Sequence, residues 1–71
     1  MLLSLLVTTV IFEGCGGAQA RKAHHLARGE EFFATHNYEK ARVEFRNALQ
    51  IAPNDSEARY RNGLVDERLG A

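Results

Sequence analysis

The stretch from Tyr38 to Pro53 constrains this chain more than any other. Its Tyr38, Ala41, Phe45, Ala48, Leu49 and Ala52 recur at steps of three, four, three, one and three. At 3.6 residues per turn those steps fall on one side, so the segment reads as a helix with one buried face. Pro53 closes it, because the residue before a proline is pushed out of helical geometry. Asn37 stands just ahead of the run and is expected to cap it by accepting a backbone N–H bond.

Two segments of the same character flank it. From about Gln19 to Thr35, Ala23, Leu26, Ala27, Gly29, Phe32 and Phe33 form one broad apolar face. From about Ser56 to Leu69, Ala58, Leu64, Val65 and Leu69 are apolar, with Gly63 between them. Asn54, Asp55 and Ser56 are candidate caps for this last helix, and Asn54 with Glu57 has the spacing of a capping box. Lys40/Glu44, Asp55/Arg59 and Glu57/Arg61 are four apart and are expected to pair along exposed sides, each pair contributing about 0.2–0.5 kcal/mol. Connections this short make neighbouring helices antiparallel. The expected fold is all-α, built of antiparallel helical hairpins.

Composition narrows the chemistry. Nine Lys and Arg balance nine Asp and Glu, so nothing points to a nucleic-acid partner, which would call for basic charge gathered on one face. One cysteine excludes an internal disulfide. Catalysis needs a nucleophile with a base, paired carboxylates in a pocket, or a metal site. Cys15 lies among glycines with no fixed base near it. His24 and His25 are adjacent, so on a helix they point about 100° apart, and Glu30 and Glu31 diverge for the same reason. Gly14, Gly16 and Gly17 follow an apolar run rather than a strand, unlike a phosphate-cradling loop. No enzyme, cofactor, metal or small-molecule substrate is expected.

Residues 2–12 are an uncharged apolar run, near the roughly 7–15 residues of a signal-peptide core and short of the about 20 of a membrane-spanning helix. Glu13, Gly14, Cys15, Gly16 and Gly17 follow. This arrangement resembles a bacterial lipoprotein signal, in which a small residue precedes a cysteine that is lipidated and becomes the new N-terminus. On that resemblance residues 1–14 are a signal peptide, Cys15 is the lipidated residue and residues 15–21 form a flexible tether. Phe12 and Glu13 stand where the pattern has Leu and a small residue, and no Lys or Arg precedes Arg21. An upstream start would supply the missing positive charge. An export signal without lipid and a non-exported tail are the other readings of this segment.

Gly29, Phe32, Tyr38, Ala41, Phe45, Ala48 and Pro53 together carry a second resemblance. The chain is similar to the tetratricopeptide repeat, a helix–turn–helix unit of about 34 residues. Gly63 lies 34 residues after Gly29. The resemblance sets repeat 1 at residues 22–55 and the first helix of a repeat 2 at residues 56–71, about one and a half repeats of a solenoid. Small Gly29, Ala41 and Ala48 are then expected where helices approach closely, with Phe32 and Phe45 filling the gap and Pro53 setting the angle to the next unit. His25 stands where the family often has Trp and Arg28 where it has Leu. Arg59, Asn62 and Asp66 replace Trp, Leu and an aromatic in the second unit.

The resemblance implies function by shape. First helices of such repeats line a concave groove that holds peptides or partner helices. Carried over, the groove positions are Leu26, Glu30 and Phe33 in the first unit and Tyr60, Leu64 and Glu67 in the second, with Arg61 near the rim. Leu26 and Glu30 occupy the sites where one subtype clamps a terminal carboxylate, which argues against that clamp. The leading expectation is a lipid-anchored scaffold of the bacterial cell envelope that binds a protein or peptide and meets the membrane through Cys15. The alternatives are the N-terminal repeat segment of a larger multidomain enzyme and a non-exported adaptor. Because repeats bury their faces only against neighbours, the chain also reads as a piece of a longer protein.

Overall fold

Why these residues form helices is visible at each helix end. The computed structural model describes the backbone of residues 3–70 and the side chains of residues 16–70. Helix α1 spans Leu3–Ala34, α2 Tyr38–Ile51 and α3 Ser56–Leu69, and the described residues contain no strand. None of the helices, among the described residues, is long and apolar enough to cross a membrane. The apolar run 2–12 and the lipidation candidate Cys15 lie outside the residues whose side chains are described.

Helix α1 departs from the expected tether at residues 15–21, since it is continuous from Gly16 to Ala34. Ala18, Gln19, Ala20, Arg21, Lys22 and Ala23 are all strong helix formers, whereas each glycine costs only about 1 kcal/mol relative to Ala. Extending an existing helix adds one hydrogen bond per residue without a new nucleus. Good helix formers next to a packed segment therefore carry the helix back through the glycines.

The α1–α2 turn is made by two hydrogen bonds. His36 N–H donates to Phe33 O at 3.0 Å and Asn37 N–H to Phe32 O at 2.8 Å. His36 sits at φ 62, the left-handed conformation of the helix-terminating Schellman arrangement. Asn37 does occupy the N-cap of α2, but its side chain makes no capping bond. With φ −92 and ψ 73 it lacks the extended geometry that aims a cap side chain at the first turn. Helix α3 is capped by Asp55, at ψ 118, whose carboxylate accepts from Ala58 N–H at 3.0 Å. Asp55 thus takes the role that the Asn54/Glu57 spacing had suggested. Gly70, at φ 76, ends α3.

Leu26, Ala41, Phe45, Ala48, Ala58 and Val65 form the core, with Phe32, Phe33, Tyr38, Leu49 and Leu69 packed against it. Contacts run His25 to Glu44, Gly29 to Phe45, Phe32 to Lys40 and Phe33 to Tyr38. The first two contacts fall at Glu44 and Phe45 and the last two at Lys40 and Tyr38, so α2 runs back along α1 and the hairpin is antiparallel. The closest approach is at Gly29. A Cβ there would lie 2.7 Å from Cδ1 and 2.8 Å from Cζ of the Phe45 ring. Only glycine leaves room for that ring, which is 1% exposed.

Three expectations about packing change. Ala23 and Ala27 are exposed, because they fall outside the arc of helix surface that Leu26, Gly29 and Phe33 define. Phe32 is half-buried at the margin, with the Arg28 guanidinium 5.4 Å and the Lys40 ammonium 5.7 Å from its ring centre, and does not share the interior with Phe45. Of the three charge pairs four apart, Arg61 to Glu57 forms at 3.3 Å. Glu44 instead accepts from His25 Nδ1 at 2.8 Å and Arg28 Nε at 3.4 Å, and Asp55 from Lys22 Nζ at 2.8 Å. Glu44 lies three after Ala41 and four before Ala48, so it faces α1 rather than solvent.

These cross-helix bonds couple folding to pH. Burial works to raise the Glu44 carboxyl, but the hydrogen bonds from His25 and Arg28 outweigh it and hold the group below its ordinary value. The Lys22 ammonium, with the Ala58 N–H, holds Asp55 below its ordinary value as well. A carboxyl depressed in the folded state binds its proton less readily than in the unfolded chain. Its contribution is complete above the ordinary carboxylate range and lost as pH falls through the lower folded values. Helicity followed by circular dichroism should therefore fall on acidification below about pH 4. Glu44→Gln should flatten that acid limb, and an unchanged limb would remove Glu44 from the account.

Candidate peptide groove

Helices α1 and α3 both pack on α2, and long side chains reach between them. Lys22 Nζ meets Asp55 Oδ1 at 2.8 Å, Glu30 pairs with Arg61, and the Arg68 guanidinium lies 5.7 Å from the Phe33 ring centre. Rising numbers on α1 meet rising numbers on α3, so these helices are parallel. Each contact joins residues close to one 34-residue period apart. Stacking at the repeat period is the geometry that creates a continuous face from successive first helices.

Of the predicted groove residues, the structure brings Glu30, Phe33 and Arg61 into the contact between α1 and α3. Phe33 also meets Tyr38 edge-on at 5.2 Å, and Arg61 is shared between Glu30 and Glu57. Tyr60 is 66% exposed, Glu67 is exposed and Leu64 half-buried. Leu26 is only 8% exposed and belongs to the core, so it contributes packing within the hairpin and no surface contact. The repeat-defining Gly29, Ala41, Phe45 and Ala48 sit at the tightest part of that hairpin, Tyr38 at its turn, and Pro53 in the α2–α3 connection.

Sequence reasoning missed the cross-helix pairing of Glu44 with His25 and of Asp55 with Lys22. The signal for Glu44 was present in its register with Ala41 and Ala48. Lys22 and Asp55 carry no such signal, because their meeting depends on how the two units stack. Among the described residues no group of three or more His, Cys, Asp or Glu is placed to hold a metal ion.

Over 52 residues, 73% of its length, the chain is 35% identical to Tetratricopeptide repeat protein 16 of Homo sapiens. The protein of that name from Macaca fascicularis matches over the same extent. The hairpin is tetratricopeptide-like. The chain spans 6% of the length of either relative, so the likeness concerns a repeat and not a whole protein. No family model and no solved structure matches the chain. Gly29 under the Phe45 ring and the parallel side-chain contacts of α1 with α3 are in keeping with that likeness.

Proposed function

We propose that the chain is a protein-interaction repeat that holds a peptide or helix of a partner protein along the face shared by α1 and α3. The observation that carries this reading is the parallel, period-spaced contact of the two helices, with the ring of Tyr60 exposed beside Arg61. Aromatic and Arg side chains are the types that most often dominate binding energy at protein interfaces. Peptides selected from a displayed library against the full chain should lose at least tenfold in affinity to the Tyr60→Ala/Arg61→Ala double variant, about 1.4 kcal/mol. Circular dichroism of the variant should match the parent. Selected peptides that bind the double variant at full strength would show that the groove is elsewhere.

The lipid-anchored envelope role is a finer part of the same proposal and rests on the sequence of residues 2–17. A lipid on Cys15 would hold the repeat at a membrane surface, each buried CH₂ of the acyl chains contributing about 0.8 kcal/mol. Mass spectrometry of the chain expressed in a bacterial host is expected to find an N-terminal peptide beginning at Cys15 with a diacylglycerol mass. An unmodified peptide retaining residues 2–12 would leave the repeat without its anchor.

A further inference from the structure

The side of α1 that turns away from α3 is basic. Lys22, Glu30 and Phe33 meet α3, whereas Arg21, His24 and Arg28, at steps of three and four, share the other flank with Phe32 four residues on. Helix α2 adds Lys40, whose ammonium stands 5.7 Å from the Phe32 ring centre, and Val43, 56% exposed and one turn further along. Arg21 and Lys40 are exposed and make no ion pair among the described residues. Glu44 is the carboxylate that reaches this flank. It is shared between His25 and Arg28, and the Arg28 side chain stays 47% exposed. The chain as a whole is neutral, so the excess of cations here is a matter of placement. A unit added beyond α3 would stack on the far side, and residues 16–21 prolong α1 along its own axis rather than folding back over the flank. An apolar helix packed here would strip water from three cations with one carboxylate to answer them, and desolvating unpaired charge is costly.

We propose that this flank is a docking surface for an acidic helix of a partner protein. A helix laid along α1 climbs at the same rise per residue, so residues seven apart on it span the roughly 10.5 Å between Arg21 and Arg28. Four residues further it reaches the level of Phe32, where Lys40 stands. Carboxylates at i, i+7 and i+11 lie on one face of such a helix and meet Arg21, Arg28 and Lys40 in that order, with the partner parallel to α1. The half-buried Phe32 ring and exposed Val43 give it apolar contact at the margin. Charge pairs of this kind supply orientation and encounter rate as much as affinity. Cations left unmatched within the chain select an acidic partner over a neutral or basic one. The surface lies on the other side of α1 from the groove shared with α3 and does not depend on it.

The probe is a helix-stabilised, alanine-rich synthetic peptide with Glu at i, i+7 and i+11. It is titrated into the full chain and followed by calorimetry and amide chemical shifts. Binding should perturb the amides of Arg21, Arg28 and Lys40 and weaken as salt is raised. A peptide of the same composition with its Glu residues on three different faces should bind at least tenfold more weakly, and so should one with Lys in their place. The double variant Arg21→Glu/Lys40→Glu should lose the Glu peptide by at least tenfold and gain the Lys peptide. Its circular dichroism should match the parent, since both side chains are exposed without ion pairs and position 40 lies in the first turn of α2, where negative charge is favoured. Equal binding of the peptide with dispersed Glu, or binding that survives the double variant, overturns the proposal. So do phosphatidylglycerol vesicles that bind through Arg21 and Lys40 while the Glu peptide does not, which would make the occupant a membrane. Concentration-dependent dimerisation lost in the double variant would make it a second copy of the chain and overturns the proposal equally.

Discussion

Phe45→Ala is expected to remove a large part of the stability of the folded hairpin, moving its urea transition to markedly lower denaturant. Removing a buried phenyl ring costs about 3–5 kcal/mol, from lost transfer free energy and the cavity left behind. Stability of roughly 0.05–0.15 kcal/mol per residue gives the whole chain only about 4–11 kcal/mol. The cavity cannot close easily here. The ring is 1% exposed, and the neighbouring core alanines Ala41 and Ala48 at 0% have no longer side chain to move in. Phe45→Leu keeps apolar volume and should fall between the two. A urea transition for Phe45→Ala within about 1 kcal/mol of the parent would mean that the hairpin is held elsewhere.

Gly29 and Gly63, one period apart, should respond to alanine with opposite signs. In an open helix interior the replacement of Gly by Ala stabilises by about 1 kcal/mol. Gly63 meets that condition, with nothing within 4 Å of the new methyl, and Gly63→Ala should raise the denaturation midpoint accordingly. At Gly29 the same methyl lands on the Phe45 ring, and overpacking a filled core costs about 1–3 kcal/mol, occasionally more. The ring is 1% exposed and has no open space to withdraw into. Gly29→Ala should lower the midpoint despite its helix propensity, and Gly29→Val should lower it further. Equal shifts at the two positions in one denaturation series would show that Phe45 does not press on α1.

Much of the fold can be read from the period of its apolar residues. The α2 stripe and Pro53 place that helix to within a residue, and Ser56 to Leu69 emerges as expected, because local patterning and chain breakers govern both. Legibility ends where the cause is tertiary. Asn37 has the right residue type for a cap, but the turn bonds at His36 and Asn37 fix a backbone that turns its side chain away. The charge pairs follow the same division. Glu57 and Arg61 sit on one exposed helix and meet as the spacing says, whereas Glu44 and Asp55 are drawn to α1. For the candidate groove, the structure places Glu30, Phe33 and Arg61 in the contact between α1 and α3. Apolar spacing alone does not tell a surface position from a core position one turn away, and Leu26 lies in the core.

Asp55 joins two structural decisions in one carboxylate. It starts α3 by capping it and holds α3 to α1 through Lys22. The place where the helix begins and the angle at which it leans are therefore not independent variables. A load that splays α1 from α3 must draw on the same carboxylate that keeps the first turn of α3 wound, one oxygen serving each bond. Such a chain would stretch first by tilting and then, past the reach of one ion pair, by losing a turn of helix. Salt or acid acting on that one side chain would loosen the start of α3 and its hold on α1 together.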